Sequence, residues 1–159
     1  MKATKLMKFA WALYNAEWTI IRNRTDIGFI TSDNPVAFDD PGPWRGGQPG
    51  LPRYMTLSPT LCIYGAMDPR GPRDETDFTQ PPRGEIQWGS IPAEGVERVN
   101  RAVAQCAETL VISSCKSSAV EALVSEFARY RIDMDFVELR APDSYILGNH
   151  TRVREQPAT

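Results

Sequence analysis

Apolar positions recur along this chain with more than one period, and each period predicts an element. Leu6, Phe9, Ala10 and Leu13 fall at i, i+3, i+4 and i+7, the stripe of an amphipathic helix over about residues 3–16 whose apolar side would cover a sheet. Trp18, Ile20 and Ile21, followed by Phe29 and Ile30, are aromatic and β-branched residues that fit a pleated, half-buried surface. Thr25, Asp26 and Gly28 between them suit a short connection, so the pattern predicts an N-terminal hairpin over 18–33. Pro35 has no N–H for a ladder and holds Asn34 extended, which stops pairing near Asp33 in a polar corner of Ser32, Asp33, Asn34 and Pro35.

Beyond the corner the periodicity lapses. Residues 37–53 hold Pro41, Gly42, Pro43, Gly46, Gly47, Pro49, Gly50 and Pro52, a composition of loop rather than helix or central strand. Residues 54–57 and 61–64 read as strand segments separated by Ser58 and Pro59, a bend, a bulge or the start of a new pairing. Residues 68–82 are again polar and proline-rich. Residues 85–91 alternate, with Ile86 and Trp88 on one face, as in a short edge strand. Val96, Val99, Val103, Cys106 and Leu110 give a helical stripe after Pro92, over about 94–107. Residues 109–114 resemble a short buried strand. Ser118 and Glu121 form a capping box for a helix over about 118–131, with Val120, Leu123, Val124 and Phe127 inward. Residues 136–139 suit one more strand, and 141–159 a polar C-terminal tail that frays at its end. The expected fold is therefore α+β: one domain over 1–140, with a mainly antiparallel sheet built on the N-terminal hairpin, about three covering helices and long Pro/Gly-rich loops.

Composition narrows the function. At 159 residues and 42% apolar content the chain can bury one sizeable core. Twenty acidic against eighteen basic residues leave a net charge of −2, which gives no electrostatic footprint for nucleic acid or an anionic membrane. Three cysteines, Cys62, Cys106 and Cys115, have no paired spacing, which signals neither a disulfide framework nor a zinc knuckle and suits a reducing compartment. No window approaches the roughly 20 apolar residues a membrane span needs, and the N-terminal apolar run is too short for a signal peptide. A soluble, cytoplasmic protein is expected.

Trp18, then the run Phe29 to Val36 with its Ser-Asp-Asn-Pro-Val corner, then Leu57-Ser58-Pro59, then Asn100 in a helix leading to Val111-Ile112-Ser113, resemble the C-terminal half of domain-of-unknown-function family 4238. The resemblance covers roughly residues 11–131. It implies a longer relative, whose N-terminal half opens with a histidine-containing segment leading into a Val-Pro pair and is absent here. It implies no established activity.

The chemistry available is sparse. The one histidine, His150, lies in the expected tail, so a Ser-His-Asp or Cys-His arrangement would require that tail to fold back. Asp39-Asp40, Asp74-Glu75-Asp77 and Asp133-Asp135 match no calcium-loop spacing, and zinc or iron lacks ligands, so no cofactor is signalled and the metal is unknown. Asp33, just past a strand end with Ser32 and Asn34 beside it, is the candidate general base or metal ligand; its alternative is to accept backbone N–H groups in an Asx turn. Trp44 on its loop reads either as a binding lid or as a cap on the core. Two readings follow. One is an interaction or structural module, or half of a larger protein, whose surface at Trp44, Arg53 and Trp88 meets a partner or the missing half. The other is a metal-dependent hydrolase or nuclease-like enzyme using Asp33, with Asn34 and Asn100 assisting.

Overall fold

The computed structural model describes residues 16–39, 52–67, 86–141 and 144–156. In chain order they form β1 (Ala16–Asn23), β2 (Thr31–Ser32), β3 (Ala37–Phe38), β4 (Arg53–Ser58), β5 (Leu61–Met67), β6 (Gln87–Ile91), α1 (Ala93–Cys106), β7 (Val111–Ile112), α2 (Ser118–Phe127), β8 (Tyr130–Ala141) and β9 (Ser144–Glu155). Five strands make one mixed sheet in the order β3-β4-β5-β1-β6, antiparallel except where β1 runs parallel to β6. The chain is α+β with an antiparallel-dominated sheet, as its pattern predicts. The expected helix over 3–16 and Trp44 lie outside the described residues.

The expected 18–33 hairpin is not formed, because both edges of β1 are occupied by distant strands. Ile21 pairs with Cys62 of β5 on one side and with Gly89 of β6 on the other. Phe29 and Ile30 are buried without joining a ladder, and Thr31–Ser32 pairs with Val111–Ile112. Asn23 diverts the chain. Its Oδ1 accepts from Thr25 N at 2.9 Å, and its Nδ2 donates to Ile27 O and to Pro59 O, the latter at 3.1 Å. Asn23 N and Phe29 N donate to Thr60 O and Pro59 O, both at 2.9 Å. The loop after β1 is thereby laid across the β4–β5 turn rather than folded back along β1. The hairpin of this sheet is β4–β5, which turns through Pro59 and Thr60 and carries a register shift between Thr56 and Ser58.

Core formation follows the helical stripe. Val96, Val99, Val103 and Cys106 of α1 are buried against Ile21, Tyr54 and Cys62 of the sheet, joined by Phe29, Ile30 and Phe127. Pro92 precedes α1, where its carbonyl accepts from Gly95 N and Val96 N and its missing N–H is not needed. In α2 the cap is Ser117 rather than Ser118: its Oγ accepts from Ala119 N at 3.3 Å. Consecutive serines share the capping chemistry, so the Ser118–Glu121 spacing placed the cap one residue late. Val120 and Leu123 pack on the core, while Val124 is exposed. The short strand near 111 is half exposed at Ile112, not buried as its apolar run suggested, because among the described residues its ladder partner is the two-residue β2 alone. The segment expected to fray carries β9, paired along its length with β8, and places His150 opposite Asp135.

Candidate functional site

The Ser32–Val36 corner is tied to the far end of α1 and the loop that follows it. Asp33 N donates to Leu110 O at 3.1 Å, extending the β2–β7 ladder by one bond. Its carboxylate then accepts three bonds across the same gap: Oδ1 from Glu108 N at 3.0 Å, and Oδ2 from Thr109 N at 2.8 Å and Thr109 Oγ1 at 2.6 Å. The Thr109 hydroxyl chiefly, opposed by desolvation and joined by the backbone of Glu108, Thr109 and Leu110, brings Asp33 from 3.8 to about 2. Asp33 thus accepts backbone N–H groups, but from a loop about 75 positions away rather than from its own turn.

Its neighbours serve the same junction. Ser32 Oγ donates to Asn34 O at 2.9 Å and accepts from Asn34 N at 3.2 Å, closing the local turn. Asn34 Nδ2 reaches Cys106 O at 3.4 Å, which gives a terminal carbonyl of α1 a donor. Asn100, buried in α1, lies alongside the segment before the corner: Oδ1 accepts from Ile30 N at 3.0 Å and Nδ2 donates to Gly28 O at 2.9 Å. An amide side chain therefore stands in for a neighbouring strand, which explains how Phe29 and Ile30 are buried without one. Among the described residues no group of three His, Cys, Asp or Glu side chains is placed to hold a metal ion.

Trp88 and Arg53 lie elsewhere. Arg53 opens β4, half buried opposite Gly65, and desolvation lowers its pKa. Trp88 is on β6, the edge strand of the described sheet, and is 62% exposed, with Ile86 beside it at 65%. The parallel register sets Arg22 across from Ser90, and the Arg22 guanidinium leans over the Trp88 ring, 5.0 Å from its centroid. Arg22, Arg24, Trp88, Gly89 and Ser90 line a notch of about 450 Å³. A second cleft, of about 570 Å³, opens between the loop after β1, α1 and α2; its buried polar member, Asn100, is already engaged at both ends. Sequence reasoning missed Asn23, Thr109, Arg22 and Arg24. Asn23 has a local signal, an Asx turn onto Thr25 N, but its bond to Pro59 O and the roles of Thr109 and Arg22 depend on residues distant in sequence.

A family profile described as "Protein of unknown function (DUF4238)" matches residues 2–117. The chain belongs to this family. The matched span contains both sides of every tie just described, from Asn23 to Thr109, and stops before α2 and the β8–β9 pair. DUF4238 carries no established activity, and no curated protein and no solved structure matches the chain. No helix among the described residues is long and apolar enough to cross a membrane.

Proposed function

We propose that this DUF4238 chain is a non-enzymatic interaction module whose working surface is the β6 edge around Trp88, and that the Ser32–Val36 corner is its scaffold. One contrast carries the reading. Both oxygens of Asp33 are taken by donors of the chain itself, whereas Trp88, on the edge strand of the described sheet, and Ile86, just before it, stand exposed. An edge that presents large apolar side chains is a template for another chain. Arg53, Asn100, Ser32 and Asn34 then hold the frame, and Trp44 is assigned to the binding surface on sequence grounds.

We further propose that the chain corresponds to the C-terminal half of the longer members, on the strength of the Ser-Asp-Asn-Pro-Val corner and Leu57-Ser58-Pro59. In that case the partner is a separate protein or the N-terminal half. A cytoplasmic setting is supported by Cys62, Cys106 and Cys115, which form no disulfide. The metal-dependent hydrolase reading keeps one observation in its favour: Asp33 is at the surface and ionised at any physiological pH. Native mass spectrometry of gently purified chain separates the two. A stoichiometric partner chain lost in Trp88→Ala supports the module; a divalent metal adduct lost in Asp33→Ala overturns it.

A further inference from the structure

The notch beside Trp88 has a sign. Arg22 and Arg24 are exposed, and among the described residues neither forms an ion pair; the Arg22 guanidinium lies against the face of Trp88. Among the described residues the notch lining contains no carboxylate. Its shape comes from side-chain size. Alternation puts Trp88 and Ser90 on the sheet face shared with Ile20 and Arg22, and Ser90, directly beside Arg22, is too small to fill the space over β6. The arginine leans into that space instead. Strands lie about 4.8 Å apart, so a chain added outside β6 would sit two spacings from β1, within reach of a guanidinium that already lies above the intervening strand.

We propose that the β6 edge accepts an extended acidic segment of a partner protein as an added strand. One apolar residue of that segment packs beside Trp88, and a Glu or Asp opposite Ser90 meets Arg22 across the notch, with Arg24 as the second counter-charge. Backbone bonds of the edge supply the affinity, and the two arginines supply the selectivity. Charge decides against a second copy of this chain. Two-fold pairing of β6 with itself would bring both arginine pairs to one seam, and Gln87–Ile91 itself carries no acid to set between them. The inference rests on the reading of β6 as the working surface and adds the chemistry of what binds there.

The test is an NMR titration of the intact chain, followed at the Gln87–Ile91 amides and the Trp88 indole. The probes are three blocked octapeptides of alternating valine and threonine, identical except that two central threonines become glutamate, glutamine or lysine. The glutamate peptide is expected to shift the β6 signals saturably, about tenfold more tightly than the glutamine peptide, since two exposed pairs contribute several-fold each. Trp88→Ala is expected to weaken it about tenfold, and the Arg22→Gln/Arg24→Gln pair to abolish the preference over glutamine. Both sets of substitutions are at exposed positions, and unchanged core signals verify the fold. Equal binding of the glutamate and glutamine peptides overturns the acidic partner but leaves the edge reading intact. Preference for lysine, or self-association through β6 without peptide, overturns the proposal. No shift at β6 with any peptide overturns both the proposal and the reading it rests on.

Discussion

Replacing Asn100 with alanine removes the donor and the acceptor that stand in for a strand beside residues 28–30. Ile30 is 1% exposed, so its N–H, now bonded to Asn100 Oδ1, has no water to turn to. Gly28 O is only partly buried and loses less. An unsatisfied buried backbone group costs about 1–3 kcal/mol, so the pair together are expected to cost about 3 kcal/mol, a large part of the 5–15 kcal/mol that holds a typical domain together. With a urea slope of about 2 kcal/mol/M, the unfolding midpoint should fall by about 1.5 M without a change in slope. The assay is equilibrium urea unfolding followed by circular dichroism, paired with amide exchange at Ile30, which should lose its protection in the variant. A loss below about 1 kcal/mol, or an Ile30 amide equally protected in both proteins, would refute the reasoning. Either result would mean that the segment finds its partners without the side chain.

Other expectations follow from the same geometry. Asp33 has a folded pKa of about 2 against 3.8, so its contribution to stability is complete above the unfolded value and disappears as pH falls through about 2. Acid titration of wild type and Asp33→Asn should show an advantage for wild type that is level at neutral pH and closes near pH 2; an advantage that closes at neutral pH would sink the assignment. Gly65→Ala would set a Cβ 2.7 Å from Trp18 Cζ3, and since the ring lies over a paired strand it should destabilise by about 1–3 kcal/mol in thermal or urea unfolding. Cys62 and Cys106 are buried, and burial pushes the Cys62 thiol up to about 12. A thiol reagent should therefore label Cys115 alone in the native protein, as peptide mapping would report, and a native reaction at Cys62 would contradict the packing.

How far the sequence reaches is clear from particular residues. Val96, Val99, Val103 and Cys106 declare α1, because a helix is encoded within its own span and its buried face repeats every turn. The 86–91 segment reads as an edge strand because Ile86 and Trp88 alternate without the continuous apolar run of a central one. Strand pairing is another matter. Trp18 to Ile30 has the apolar–turn–apolar form of a hairpin, yet β1 takes its partners from Leu61–Met67 and Gln87–Ile91, and no local feature of β1 specifies either. Asn23 is the residue that separates the two outcomes, and its decisive acceptor, Pro59 O, is 36 positions away. The corner was legible as a location, since Ser, Asp, Asn and Pro in series stop a ladder. Its partners were not, because a carboxylate beside a proline has the same sequence whether it meets its own turn, a metal or the Glu108–Thr109 backbone. Arg22 lines the notch beside Trp88 only because the parallel register sets it across from Ser90.

Asp33 clamps the corner to the Glu108–Thr109 backbone, and the working surface proposed above is β6, which none of these bonds involves. The most direct measurement is amide hydrogen exchange at Glu108 and Thr109 in wild type and in Asp33→Ala. The account predicts that both amides exchange slowly in wild type and rapidly in the variant, with the α1 amides of Val99 and Val103 unchanged. Equal exchange at Glu108 and Thr109 in the two proteins would contradict it, and would leave the Asp33 carboxylate available for chemistry of its own.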